Sequence, residues 1–171
     1  MSGLGISLQI NEIPSRIVLE RFLLEGKVKA VGSLDNTVNN EKNASLTISD
    51  GVLTPWHQES PLNPLGYRQG MLKIEDIILI YPLDPAEQAK TNLMPHSERA
   101  IVYAADFAIH GNITMGADAN VLTALDSITK RFMALTQVSI FPLFAARTGI
   151  PEVIPVVLLN KDKVYQAHSA E

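Results

Sequence analysis

The sequence predicts an α+β chain that is mainly β: two tandem, small β-sheet or barrel-like repeats, each with at most one short helix, related by a pseudo-two-fold. Three observations lead there. Most apolar runs are short and bounded by Gly, Pro, Asn and Asp, as strands are. Only one long run has strong helical spacing. The chain also resembles itself. R-I-V-L-E-R-F-L-L-E-G-K-V, from Arg16, is matched by A-I-V-Y-A-A-D-F-A-I-H-G-N-I, from Ala100. L-T-I-S-D-G-V-L-T-P, ending at Pro55, is matched by M-A-L-T-Q-V-S-I-F-P, ending at Pro142. M-L-K-I-E-D-I-I-L-I-Y is matched by V-L-L-N-K-D-K-V-Y-Q-A, which pairs Asp76 with Asp162. The matches keep their order, and their shifts stay close, from Ile17 to Ile101, Gly26 to Gly111, Pro55 to Pro142 and Asp76 to Asp162. Such regularity indicates an internal duplication. The competing reading is two unrelated β-rich halves that share only strand periodicity.

The elements follow in order. Residues 1–15 form an N-terminal strand segment in which Ile6, Leu8 and Ile10 alternate with polar residues. The first β-rich repeat spans 16–81. It opens with two β runs parted at Glu25-Gly26, read as a hairpin turn. In S-L-D-N-T-V-N-N-E-K-N, Leu34 and Val38 keep helical spacing, but asparagines weaken the helix. A third strand covers 45–54, and a turn at Glu75-Asp76 precedes a strong apolar run. Residues 82–98, with Pro82, Pro85 and Pro95, form a connector, and Pro82 also stops the preceding strand. The second repeat spans 99–171. Its path to Gly111 needs one more residue than the path to Gly26, which a β-bulge supplies. Asp118 is the expected N-cap of a helix over 119–131, whose stripe is Val121, Leu122, Leu125, Ile128 and Phe132. Lys130 and Arg131 suit its C-terminal end. A strand over 133–141 and a turn at Asn160-Lys161-Asp162 complete the layout.

Composition narrows function. The chain has 171 residues, 46% hydrophobic, with a formal net charge of −4. That supports a packed core and argues against a non-specific nucleic-acid partner, which needs a basic face. Absence of cysteine excludes disulfides, thiolate metal sites and thiol catalysis. No basic n-region precedes an apolar stretch, and no apolar run reaches membrane-spanning length. The expectation is a soluble cytoplasmic protein with no membrane partner.

The order strand–strand–helix–strand–turn–strand, with an acidic turn before a last apolar strand, resembles small uncharacterised bacterial β-rich domains with an Sm-like small-barrel layout, here in tandem. The resemblance covers most of each copy and has no signature motif behind it. The RNA-contacting loops of Sm-like proteins find no counterpart residue by residue, so none is carried over.

Catalytic and cofactor motifs are missing. Gly111 and Gly116 have Walker A spacing, but Ala117-Asp118 stands where Lys-Ser/Thr should, and an aspartate repels phosphate. His57, His96, His110 and His168 show no metal-ligand spacing, and no G-x-S-x-G occurs. No cofactor, metal or catalytic residue is expected, and the reading leans away from an enzyme. One stretch suits contact: T-P-W-H-Q-E-S-P-L-N-P-L-G-Y-R-Q-G, residues 54–70, with Trp56, His57, Tyr67 and Arg68 on a Pro/Gly-rich loop. Its counterpart after Pro142 carries Phe144 and Arg147. The competing role for Trp56 and Phe144 is that of core plugs pinning the loops. The functional expectation is a non-enzymatic binding or assembly module that self-associates or binds a protein. The alternatives are a small-molecule or enzymatic site in the cleft between repeats and, third, nucleic-acid binding.

Overall fold

Ten strands, three short helices and two 3-10 turns make up the computed structural model, which describes residues 9–170. The first half holds β1 (Ile10–Val18), β2 (Phe22–Val31), α1 (Leu34–Asn39), β3 (Ser45–Pro55), β4 (Leu65–Lys73), a 3-10 turn at Ile74–Asp76 and β5 (Leu79–Pro82). After α2 (Pro85–Gln88) come β6 (His96–Ala104), β7 (Phe107–Met115), α3 (Val121–Ser127), β8 (Phe132–Pro142), β9 (Ile154–Asn160), a 3-10 turn at Lys161–Lys163 and β10 (Val164–Ser169). All strands join one open antiparallel sheet in the order β10-β6-β7-β8-β9-β5-β1-β2-β3-β4.

The mainly β class holds, but the strands form one continuous sheet rather than two separate ones. The pseudo-two-fold is also corrected. A two-fold joins a strand to its own counterpart, whereas here the last strand of the first half, β5, pairs with the penultimate strand of the second, β9.

Strand alternation explains why the middle of the sheet is apolar on both faces. Ile17, Ile80 and Leu158 belong to one buried cluster, with Ile13, Val28 and Ile48. Their chain neighbours Val18, Leu79 and Leu159 belong to a second, with Phe107, Ile113 and Val138. Each face thus carries its own core, and all four residues of β5 are buried.

Several boundaries differ from expectation, each for a physical reason. Gly26 is not in a turn: the first hairpin turns at residues 19–21, and Gly26 sits inside β2 at a bulge against β3. A Cβ there would meet Ile48 Cγ2 at 2.6 Å, so close strand approach demands the glycine. Gly111 in β7 likewise sits opposite a bulge of β8, where a Cβ would lie 3.0 Å from Val138 Cγ2. Within the bulges themselves, Asp50 (φ 50°) and Gln137 (φ 53°) take left-handed backbone. The predicted helix over 119–131 shrinks to α3, capped by Asn120 rather than Asp118 through a reciprocal Asn120–Thr123 capping box. Leu122 is exposed and Phe132 starts β8. The helix at Leu34 forms despite its asparagines, because Ser33 caps it. β1 runs across the expected boundary at residue 15. Ile6 and Leu8 of the expected leading strand lie outside the described residues. Among the described residues no helix is long and apolar enough to cross a membrane.

Candidate functional site

Besides the β5–β9 pairing, several further contacts among the described residues join the halves. The first is a seam between the loop after β3 and the loop after β8. Gln58 N–H donates to the Ala145 carbonyl at 2.9 Å, and Arg147 N–H to the Trp56 carbonyl at 2.7 Å. The Arg147 guanidinium donates to the Leu62 carbonyl at 2.6 Å and to that of Ser60. His57 stacks on Phe144, with centroids 4.1 Å apart. Beneath, Trp56 is fully buried and meets Phe107 edge-on at 5.4 Å. Among the described residues the buried Trp56 Nε1 has no hydrogen-bond partner.

Four of the expected contact residues, Trp56, His57, Phe144 and Arg147, thus come together, and they contact one another across the seam. Tyr67 and Arg68 do not join them, because β4 has already begun at Leu65. The Tyr67 ring covers Gly51 and Gly70, where any Cβ would collide with it. Its burial raises the phenol pKa above the ordinary value. Arg68 is exposed.

Near the seam, Arg16 pairs with Glu25 and reaches Glu152 at 3.5 Å. Burial opposes its charge, but the hydrogen bond to Glu25 and the neighbouring Tyr81 outweigh that and raise its pKa. Burial raises the Tyr81 phenol pKa in turn, and Arg16 lessens that shift. The Tyr81 hydroxyl feels this charge without meeting hydrogen-bond geometry to any described residue.

The second place is a side-chain clamp. Asn39, last residue of α1, accepts from Phe132 N–H at 2.8 Å and donates to the Phe132 carbonyl at 3.2 Å. It binds the start of β8 as a strand neighbour would.

The third is a cavity of about 420 Å³ between α1, the connector and the α3–β8 segment. Met94, Ile128, Phe132 and Met133 supply apolar walls, and Asp35 and Lys130 lie at its polar side. Asp35 is only 3% exposed. It accepts from Asn39 Nδ2 at 2.7 Å and Asn92 N–H at 3.0 Å, with Lys130 Nζ 3.8 Å away. Sequence reasoning missed this group: Asp35 looks like an ordinary first-turn acid of a helix, and its partners are distant in the chain. The arrangement suits a small, largely apolar molecule with one polar end.

Among the described residues, the outer strands β4 and β10 each lack a partner on one side. On β4, Leu65 and Met71 are 64% and 67% exposed; on β10, Tyr165 is 63% exposed. No three His, Asp or Glu residues among those described could hold a metal ion together. No family model, curated protein or solved structure matches the chain.

Proposed function

We infer that the chain is an assembly module built from a duplicated β unit, which works by pairing its unpaired sheet edges with a protein strand rather than by catalysis. The duplication is supported by strand register. Raise residue numbers by 85 before the helix and by 87 after it, and pairs of the first half fall on pairs of the second. Ser15↔Gly26 becomes Ala100↔Gly111, and Lys27↔Ser49 becomes Asn112↔Thr136. Leu46↔Leu72 becomes Met133↔Leu159, and Ile17↔Ile80 becomes Val102↔Ala167. The left-handed Asp50 and Gln137 correspond under the same shift. Two of the sequence matches move by one residue: Ile17 corresponds to Val102, and Asp76 to Lys163.

The observation that carries the functional reading is β4: nine residues of strand with one side unpaired among the described residues, and with exposed Leu65 and Met71. Such an edge is a template for another strand unless something covers it. Light scattering on the purified 18.7 kDa chain tests the reading. A mass of two or more chains, or capture of a strand-forming protein segment, is expected; a strict monomer that binds no such segment ends it.

A second reading is favoured by the cavity beside Asp35 and Lys130. A small molecule with an apolar body and one polar end fills it. A thermal-shift screen of such compounds should find ligands whose effect is lost in Lys130→Met; no shift across a broad panel counts against this reading.

A further inference from the structure

We propose that the occupant of the free edges is a second copy of this chain, joined head to tail, with β10 of one chain pairing with β4 of the next in the register of the internal β5–β9 junction. The proposal rests on the duplicated-unit reading above. Under that correspondence β10 is the counterpart of β5, and β4 the counterpart of β9. The chain therefore contains one finished example of a contact whose two halves, among the described residues, lie without a partner at opposite ends of its sheet.

Burial at corresponding positions follows the same logic. Leu158 is buried by the junction, whereas its counterpart Met71 is 67% exposed. Ile78 is buried, whereas its counterpart Tyr165 is 63% exposed. At these two positions apolar side chains recur where the finished junction has them and stay exposed at the edges, whereas Leu79 corresponds to Gln166 and Tyr81 to His168. A head-to-tail contact also differs from a self-complementary one, because it leaves a free edge on each end of any open assembly. It continues until a ring closes or a filament grows.

The register is specific. At the junction Leu79 lies opposite Leu159 and Ile80 opposite Leu158. Asn160 N–H donates to the Ile78 carbonyl at 2.8 Å. In an antiparallel ladder bonded and non-bonded pairs alternate, so Leu79–Leu159 is a non-bonded pair, and the Leu158 N–H points across to β5. Transferred to the edges, Gln166 lies opposite Leu72 as a non-bonded pair, and Ala167 opposite Met71. The Met71 N–H then points out from β4 toward the incoming chain.

The absence of native cysteine makes the register testable by disulfide trapping. Gln166→Cys and a size-tagged Leu72→Cys are purified separately, mixed and mildly oxidised. A non-bonded pair brings Cα atoms to about 4.5 Å, within disulfide range. A reductant-sensitive mixed dimer is expected, about tenfold more abundant than from Gln166→Cys mixed with tagged Gln69→Cys, which sits three residues out of register. Equal yields, or none, overturn the proposal. Met71→Pro, at an exposed position with an outward N–H, removes one bond from the edge and should lower the mass seen by light scattering while the melting transition persists. Ala167→Pro does the same from the other strand, so one misfolded variant does not decide the matter. An unchanged mass in both also overturns it. Oligomers without the selective disulfide sink this register and leave the assembly reading standing. A chain that is monomeric, forms no mixed dimer and captures no other strand sinks both.

Discussion

Two of the contacts that hold the halves of the chain together are of opposite chemistry. At the β5–β9 junction, Leu79, Ile80, Leu158 and Leu159 are buried and divide between two cores. At the seam between the loops after β3 and β8, the ties visible from outside are main-chain hydrogen bonds, one guanidinium and a His57–Phe144 stack. Apolar burial scales with area and tolerates no gap, whereas surface hydrogen bonds exchange with water at small net gain. The junction should therefore govern stability, and the seam should mainly fix loop shape. Leu79→Ala tests the first half of that statement. It removes three buried carbons at a site lined on both sides, and the expected cost is about 2–5 kcal/mol. Chemical denaturation followed by circular dichroism measures it; a cost below about 1 kcal/mol would show that the junction collapses around the gap and does not govern stability.

A polar contact of intermediate strength sharpens the comparison. Asn39 satisfies both main-chain groups of Phe132, and its own position depends on Asp35. Asn39→Ala leaves the Phe132 N–H without this acceptor in a part-buried setting, for an expected loss of about 1–3 kcal/mol. Asn39→Asp keeps the acceptor and discards the donor, and it places a second carboxylate beside Asp35. It should fare no better than alanine at neutral pH and recover in acid, as the introduced carboxylate takes up a proton. Identical denaturation midpoints for both variants across pH 4–7 would contradict this account.

The strand layout was readable from local pattern, because Pro55, Pro82 and Pro142 end strands by removing donors, and that signal needs no tertiary partner. Gly26 was misread because a turn glycine and a bulge glycine look alike along the chain. What separates them is Ile48 on the neighbouring strand, and pairing is a non-local fact. Asn120 displaced Asp118 as cap because Thr123 closes the capping box, three residues on, within α3. Within the stretch 54–70, Trp56 is a core plug buried beneath the seam, His57 lies in the seam, and Tyr67 and Arg68 belong to a strand. The Asp35 group lay beyond sequence reasoning, since Asn92 and Lys130 become its neighbours only after the sheet forms.

The seam should respond weakly. Arg147→Ala removes two bonds to the carbonyls of Ser60 and Leu62 at exposed positions, and His57→Ala removes a stacked ring. Each should cost no more than about 1 kcal/mol. The loop over residues 56–64 should nevertheless loosen in Arg147→Ala, which limited proteolysis followed by mass spectrometry reads directly. Global destabilisation comparable with Leu79→Ala would erase the distinction between the two contacts.

Tyr81 carries the smallest effect at neutral pH and isolates the junction's electrostatics. Its phenol is buried on β5 beside the Arg16 charge, and burial lifts its pKa above the ordinary 10.0. Below pH 10 the phenol is protonated in folded and unfolded chains alike, so it adds no pH dependence there. Above pH 10 the unfolded chain releases the proton first and binds fewer protons than the folded chain. Stability from this group is therefore full below the unfolded value and is lost as pH rises through the folded one. Tyr81→Phe keeps the ring, and among described residues the lost hydroxyl leaves no hydrogen-bonded partner behind. Its stability relative to the parent should be flat from pH 7 to 9 and rise in its favour above pH 10. A difference that stays flat to pH 11 would mean that Tyr81 titrates as freely as an exposed tyrosine, and that the junction opens to water on its β5 side.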